Sequence, residues 1–130
     1  MKIKVVSLIV VLVLFSMTAC NSNNAPISVK DGSYVLEQSG AEEYTFPSVT
    51  INDDVISFSY DKASSYLSIG TFTLDDDILT MATDDGRYKY LFKVDGEKLI
   101  FQEKGSSEMN VTNMGTKVID KAEFKMKENK

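Results

Sequence analysis

Apolar and polar residues alternate with a period of two along most of the chain after residue 32. The clearest stretch is 87–94, where Tyr88, Tyr90, Phe92 and Val94 alternate with Arg87, Lys89, Leu91 and Lys93. That alternation predicts a strand with one face in a core and the other in water. Tyr88, Tyr90 and Phe92 are therefore assigned to the core, and Lys89 and Lys93 to solvent. Leu91 breaks the rule on the polar face and marks a packing or contact surface. Further runs rich in β-branched and aromatic residues predict strands at 33–36, 49–51, 55–60, 66–74, 78–83 and 98–102.

The separators are short and carry turn chemistry: Asp53-Asp54, 61–65, Asp75 to Asp77, Asp84-Asp85-Gly86 and Asp95-Gly96. Asp-Gly between alternating runs is a strong hairpin signal. Loops this short join antiparallel neighbours, because a parallel crossover needs about a dozen residues. Residues 50–58 align with 73–81, and 93–101 form a weaker third copy, each copy being one hairpin. Duplication and simple turn preference both account for the likeness, and both imply a meander. After Gly105 the pattern weakens. Val118, Ile119, Ala122 and Met126 suit a helix face, while Phe124 and Met126 alternate with Lys125 and Lys127 as in a strand; a short closing strand is the preferred reading.

A different pattern opens the chain. Lys2 and Lys4 precede an apolar run from Val5 to Phe15 interrupted only by Ser7, and uncharged residues lead to the only cysteine, Cys20. A membrane span needs about twenty apolar residues. This run is shorter and has the layout of a secretory signal. Met17-Thr18-Ala19-Cys20 resembles the lipobox of bacterial lipoproteins, with methionine where leucine is commonest. The resemblance implies cleavage before Cys20 and a diacylglyceryl group on its sulfur. Two acyl chains meet the requirement for stable anchoring. The alternative is an ordinary signal peptide that happens to end near a cysteine.

The expected organisation is thus a signal peptide over 1–19, with a lipidated cysteine and polar tether over 20–30. One β domain follows over 31–130. Ten residues of such a tether reach on the order of 17 Å, which places the domain just off the extracytoplasmic face of a cell membrane. Cleavage removes two of fourteen basic residues against nineteen acidic ones, leaving a net charge of −7 on the mature chain. That balance argues against nucleic acid and against adsorption on anionic lipid. With no second cysteine the domain has no internal disulfide. Its core must come from apolar burial, to which twelve mature aromatic residues contribute.

Residues 70–80 and 90–101 resemble small bacterial lipoproteins with a lipocalin-like domain, in which a glycine, an aromatic, a polar turn and a leucine strand recur. Gly32-Ser33-Tyr34 matches their opening Gly-x-aromatic, although tryptophan is usual there and this chain has none. The resemblance implies an all-β fold, an antiparallel up-and-down meander of seven or eight strands closed as a small lipocalin-like barrel. It would follow an N-terminal signal helix. A β-sandwich is the alternative.

Histidine is absent, which removes the commonest general base, the commonest metal ligand and every Ser-His relay. Ser64-Ser65 and Ser106-Ser107 read as loop serines without a base, and the paired aspartates sit on turns, where aspartate bonds its own backbone. Neither Asp75 to Asp77 nor Asp84-Asp85-Gly86 has the spacing of a calcium-binding loop. Asn110-Val111-Thr112 fits a glycosylation acceptor but is too short a match to weigh. The sequence therefore predicts no enzyme, no cofactor and no metal site. In an up-and-down meander, alternate turns share an end, so Asp53, Asp54, Asp75, Asp76, Asp77, Asp95 and Glu97 are expected on one acidic rim. Such a rim attracts cations and steers basic partners. The five lysines of 117–130 are a candidate internal counter-charge. The expected function is a membrane-anchored, non-catalytic module that binds a ligand, peptide or protein, with inhibition or immunity as variants. The alternative is an accessory structural lipoprotein of a cell-envelope complex.

Overall fold

Eight strands form a closed antiparallel barrel in which each pairs with its chain neighbour and the last returns to the first. They are β1 (Gly32–Val35), β2 (Ser48–Asn52), β3 (Val55–Ser59), β4 (Ser68–Asp75), β5 (Ile78–Thr83), β6 (Lys89–Asp95), β7 (Lys98–Gln102) and β8 (Glu123–Met126). This computed structural model describes residues 27–128; the expected signal helix, Cys20 and most of the tether lie outside the described residues. The meander and its closure agree with the alternation in the sequence. The open choice at the C-terminus resolves as a strand. Phe124 points inward and is fully buried while Lys125 is exposed, as alternation requires.

The three hairpins follow the internal repeat residue for residue. Asn52 pairs with Val55, Asp75 with Ile78 and Asp95 with Lys98, so each loop has two residues. The first loop residue is left-handed in all three, with φ of 52° at Asp53, 53° at Asp76 and 59° at Gly96. Aspartate tolerates that conformation better than most residues, which explains why it stands where the third copy has glycine.

The lumen is packed with rings. Phe58 of β3 lies 5.4 Å from Phe92 of β6, 6.3 Å from Phe101 of β7 and 5.9 Å from Phe124 of β8, centroid to centroid. Strands β3 and β7 are four apart in a ring of eight, so the Phe58–Phe101 pair spans the barrel's diameter. Ile51, Ile56, Leu79, Met81, Val94 and Leu99 belong to the same buried core. Gly70 on β4 explains how β4 and β5 approach there: a Cβ would stand 1.8 Å from the Ala82 carbonyl oxygen.

The largest shifts of strand boundary relative to the sequence reading fall at the starts of β4 and β6. Residues 66 and 67 belong to the β3–β4 loop, and Arg87 and Tyr88 to the turn before β6. Tyr88 is accordingly half-buried at the barrel mouth, stacked at 6.3 Å on Tyr90, and packs against the edge of the core without being enclosed in it. Tyr90 and Phe92 are fully buried, and Lys89 and Lys93 are exposed. Leu91 faces outward and is covered by the turn after β7. Its N–H donates to Ser106 Oγ at 2.9 Å, and its side chain packs against Gly105. Ser106 and Ser107 thus extend the β6 ladder past the end of β7, the second by accepting the Lys89 N–H.

Candidate functional site

The topology assigns every connection to one of two ends. The β2–β3, β4–β5 and β6–β7 hairpins leave one end together with the segment that enters β1. Asp53, Asp54, Asp75, Asp76, Asp77, Asp95 and Glu97 therefore share that end. Residues 27–31 are laced into it. Val29 packs against the core, the Lys30 carbonyl accepts the Tyr34 hydroxyl at 2.7 Å, and Asp31 Oδ2 accepts the Asp53 N–H at 3.2 Å.

Counter-charge on this rim comes from Lys30, 3.0 Å from Glu97, and from Lys93, 3.8 Å from Asp77. The basic C-terminal stretch does not supply it among the described residues. Lys127 pairs with Glu43 of the 3-10 turn Glu43–Thr45 in the β1–β2 connection. Asp53, Asp54, Asp75, Asp76 and Asp95 have no ion pair among the described residues. No three carboxylates there converge as metal ligands. The fold gathers the turns at one end without gathering their oxygens.

The far end is built differently. Its connections are all longer than the two-residue hairpins of the acidic end, and two aspartates tie three of them together. Asp61, buried at the start of the β3–β4 loop, accepts the Thr112 N–H on Oδ2 at 2.6 Å, and the Thr112 hydroxyl and Ala63 N–H on Oδ1. Gly115 lies on the same carboxylate, where a Cβ would come within 2.5 Å of Cγ. Asp85 accepts the Thr83 hydroxyl and Arg87 N–H on Oδ1, and the Tyr66 hydroxyl on Oδ2 at 2.8 Å. The Thr112 N–H holds Asp61 below the usual carboxylate range, and the Arg87 N–H does the same for Asp85. Sequence reading treated both as turn formers. An acidic residue two before a loop N–H was the available signal, but nothing near Asp61 in sequence points to Thr112, fifty-one residues on.

Aromatics line the mouth beside these ties. The Arg87 guanidinium lies 5.6 Å from the Tyr66 ring and 5.5 Å from the Tyr88 ring, a cation–π arrangement. Tyr60 and Tyr90 meet through their hydroxyls at 3.2 Å; burial first, then the Tyr60 hydroxyl, pushes the Tyr90 phenol far up. A cleft of about 210 Å³ is lined by Phe58, Tyr60, Lys62, Tyr66 and Leu67. A second, of about 240 Å³, lies beneath the β7–β8 connection against Phe101, Met109 and Val118. Leu67, Met114 and Ile119 stand strongly exposed on the loops of this end. Ser64 and Ser106 are spent on main-chain hydrogen bonds, Ser64 Oγ accepting the Tyr66 N–H.

Comparison with protein-family models, curated proteins and solved structures finds no match to this chain, so function rests on the residues and their arrangement.

Proposed function

We infer that the protein is a membrane-anchored, extracytoplasmic lipoprotein whose barrel is a non-catalytic module binding a polypeptide on its outer surface. The observation that carries this is the packed lumen. A lipocalin-like barrel that holds a small apolar ligand keeps a cavity inside. Here Phe58, Phe92, Phe101 and Phe124 meet across that space. Recognition is left to strand edges, rims and loops. The leader, the lipobox and the lacing of residues 27–31 support an arrangement in which the acidic end faces the bilayer and the tied loops face away.

The exposed Leu67, Met114 and Ile119 on hydrogen-bonded loops favour a second reading, an accessory subunit docked into an envelope assembly by its far end. Two measurements on the full-length protein test the proposal. Titration with a fluorescent fatty acid should show no stoichiometric binding, and photo-cross-linkers on the barrel surface should capture a polypeptide in intact cells. A one-to-one fatty-acid complex would overturn the reading. Cross-linking confined to Leu67, Met114 and Ile119 would select the accessory subunit.

A further inference from the structure

The barrel has a step at its acidic end. Pairing between β3 and β4 stops at Val55↔Thr71, whereas β4 stays paired with β5 as far as Asp75↔Ile78. The β4–β5 hairpin therefore runs four residues, about 13 Å, past the tip of the β2–β3 hairpin. Alternation decides which main-chain groups this leaves open. Ile69 accepts the Asp84 N–H, so odd-numbered residues of β4 bond towards β5 and even-numbered ones towards β3. Below Thr71 the even positions are Phe72 and Leu74. Their N–H and C=O groups face that side: Phe72 stands opposite Asp54 of the β2–β3 tip, and Leu74 lies beyond it with no main-chain partner there among the described residues. Their side chains point to the barrel interior and are only half-buried, since no strand covers them on the β3 side.

The charge around the step is of one sign. Asp53 and Asp54 form the tip above it; Asp75 and Asp76 flank it below, and none of the four has an ion pair among the described residues. We propose that this edge of β4, at Phe72 and Leu74, takes an extended, basic segment of a partner polypeptide as an added strand. The segment would lie where β3 would continue, pair with the edge from Phe72 to Leu74, set alternate apolar side chains on those two residues, and place lysines or arginines against the aspartates. Strand addition draws affinity from main-chain hydrogen bonds and specificity from alternate side-chain positions. Coulomb attraction between the tips and the segment falls with added salt. An unpaired edge guarded only by aspartates repels acidic strands and admits basic ones.

This site deepens the polypeptide-binding reading and is tested apart from it. The full chain in detergent is titrated with the alternating peptide (Lys-Val)4, with (Glu-Val)4, and with (Lys-Val)4 N-methylated on alternate amides. Amide exchange is followed by NMR. (Lys-Val)4 should bind and slow exchange at Phe72 and Leu74. The N-methylated peptide, lacking two main-chain hydrogen bonds, should bind about tenfold or more weakly, and (Glu-Val)4 should not bind. D53N/D54N/D75N/D76N keeps the edge but removes the charge, so it should weaken (Lys-Val)4 and flatten its salt dependence. Absence of binding, equal binding of the acidic peptide, or unchanged exchange at Phe72 and Leu74 would each overturn the proposal. So would protection of those amides before peptide is added, which would mean that the chain's own segment or a second copy fills the step. A cellular partner whose capture survives the quadruple variant would leave the polypeptide-binding reading standing and remove this site.

Discussion

Asp61 Oδ2 accepts the main-chain N–H of Thr112 at 2.6 Å, joining the β3–β4 loop to the β7–β8 connection. The same carboxylate accepts the Thr112 hydroxyl, so one side chain fixes two loops of the far end. Asp61→Ala should loosen both and speed amide exchange at Thr112 and Ala63, with β6 and β7 unaffected. Unchanged exchange at Thr112 would show that the tie contributes nothing to order at this end.

The pH dependence follows from the same bonds. Asp61 and Asp85 both titrate below their ordinary value in the folded protein. A depressed folded pKa means stability that is present above the unfolded carboxylate range and lost as pH falls through the folded value. Acidification should therefore release the far-end loops. A melting temperature that does not fall from pH 5 towards pH 2 would contradict this.

Across the lumen, Phe58 touches the rings of four other strand residues. Phe58→Ala should cost about 3–5 kcal/mol, the usual loss for a buried aromatic, measurable by urea unfolding. Phe92→Ala should do the same. Near-normal stability in either would mean that the lumen collapses easily or is not filled by these rings.

Gly70→Ala should be among the most damaging single-atom additions, because the new methyl meets the Ala82 carbonyl within the β4–β5 ladder. Asp76→Gly should act in the opposite direction, adding up to about 1 kcal/mol by relieving a left-handed aspartate. Thermal melts of the two variants should move apart from the wild type in opposite senses.

Cys20→Ala tests the anchor. It should leave the protein as an uncleaved precursor or release it from membranes, as cell fractionation would show. Membrane association at mature size would overturn the lipobox reading.

Much of the barrel is written in local pattern. Tyr90, Phe92 and Val94 alternate with residues that are charged except for Leu91, and the aligned turns at Asp53, Asp76 and Gly96 set register through a left-handed residue visible as Asp or Gly. The acidic end was legible because a meander alternates its turns by parity alone. Tyr88 reads as a strand residue because strand periodicity continues unbroken into a turn; only the Thr83–Asp85–Tyr66 bonds show that the chain has left the sheet, although the ring still packs on the core. The far-end ties were not legible, since Asp61 and Thr112 are joined by packing of long connections that carry no period. Nor was the step below Thr71, which arises from unequal hairpin lengths on strands whose sequences look alike.

The lacing of residues 27–31 has a mechanical consequence. In the accessory-subunit reading given above, a partner gripping the far-end loops pulls along β1 while the tether holds its lower end. Ladder hydrogen bonds run perpendicular to the strands, so such a pull shears the four β1–β2 residue pairs together and does not unzip them one by one. Load applied between membrane and partner meets the barrel lengthwise, the direction in which a strand yields last.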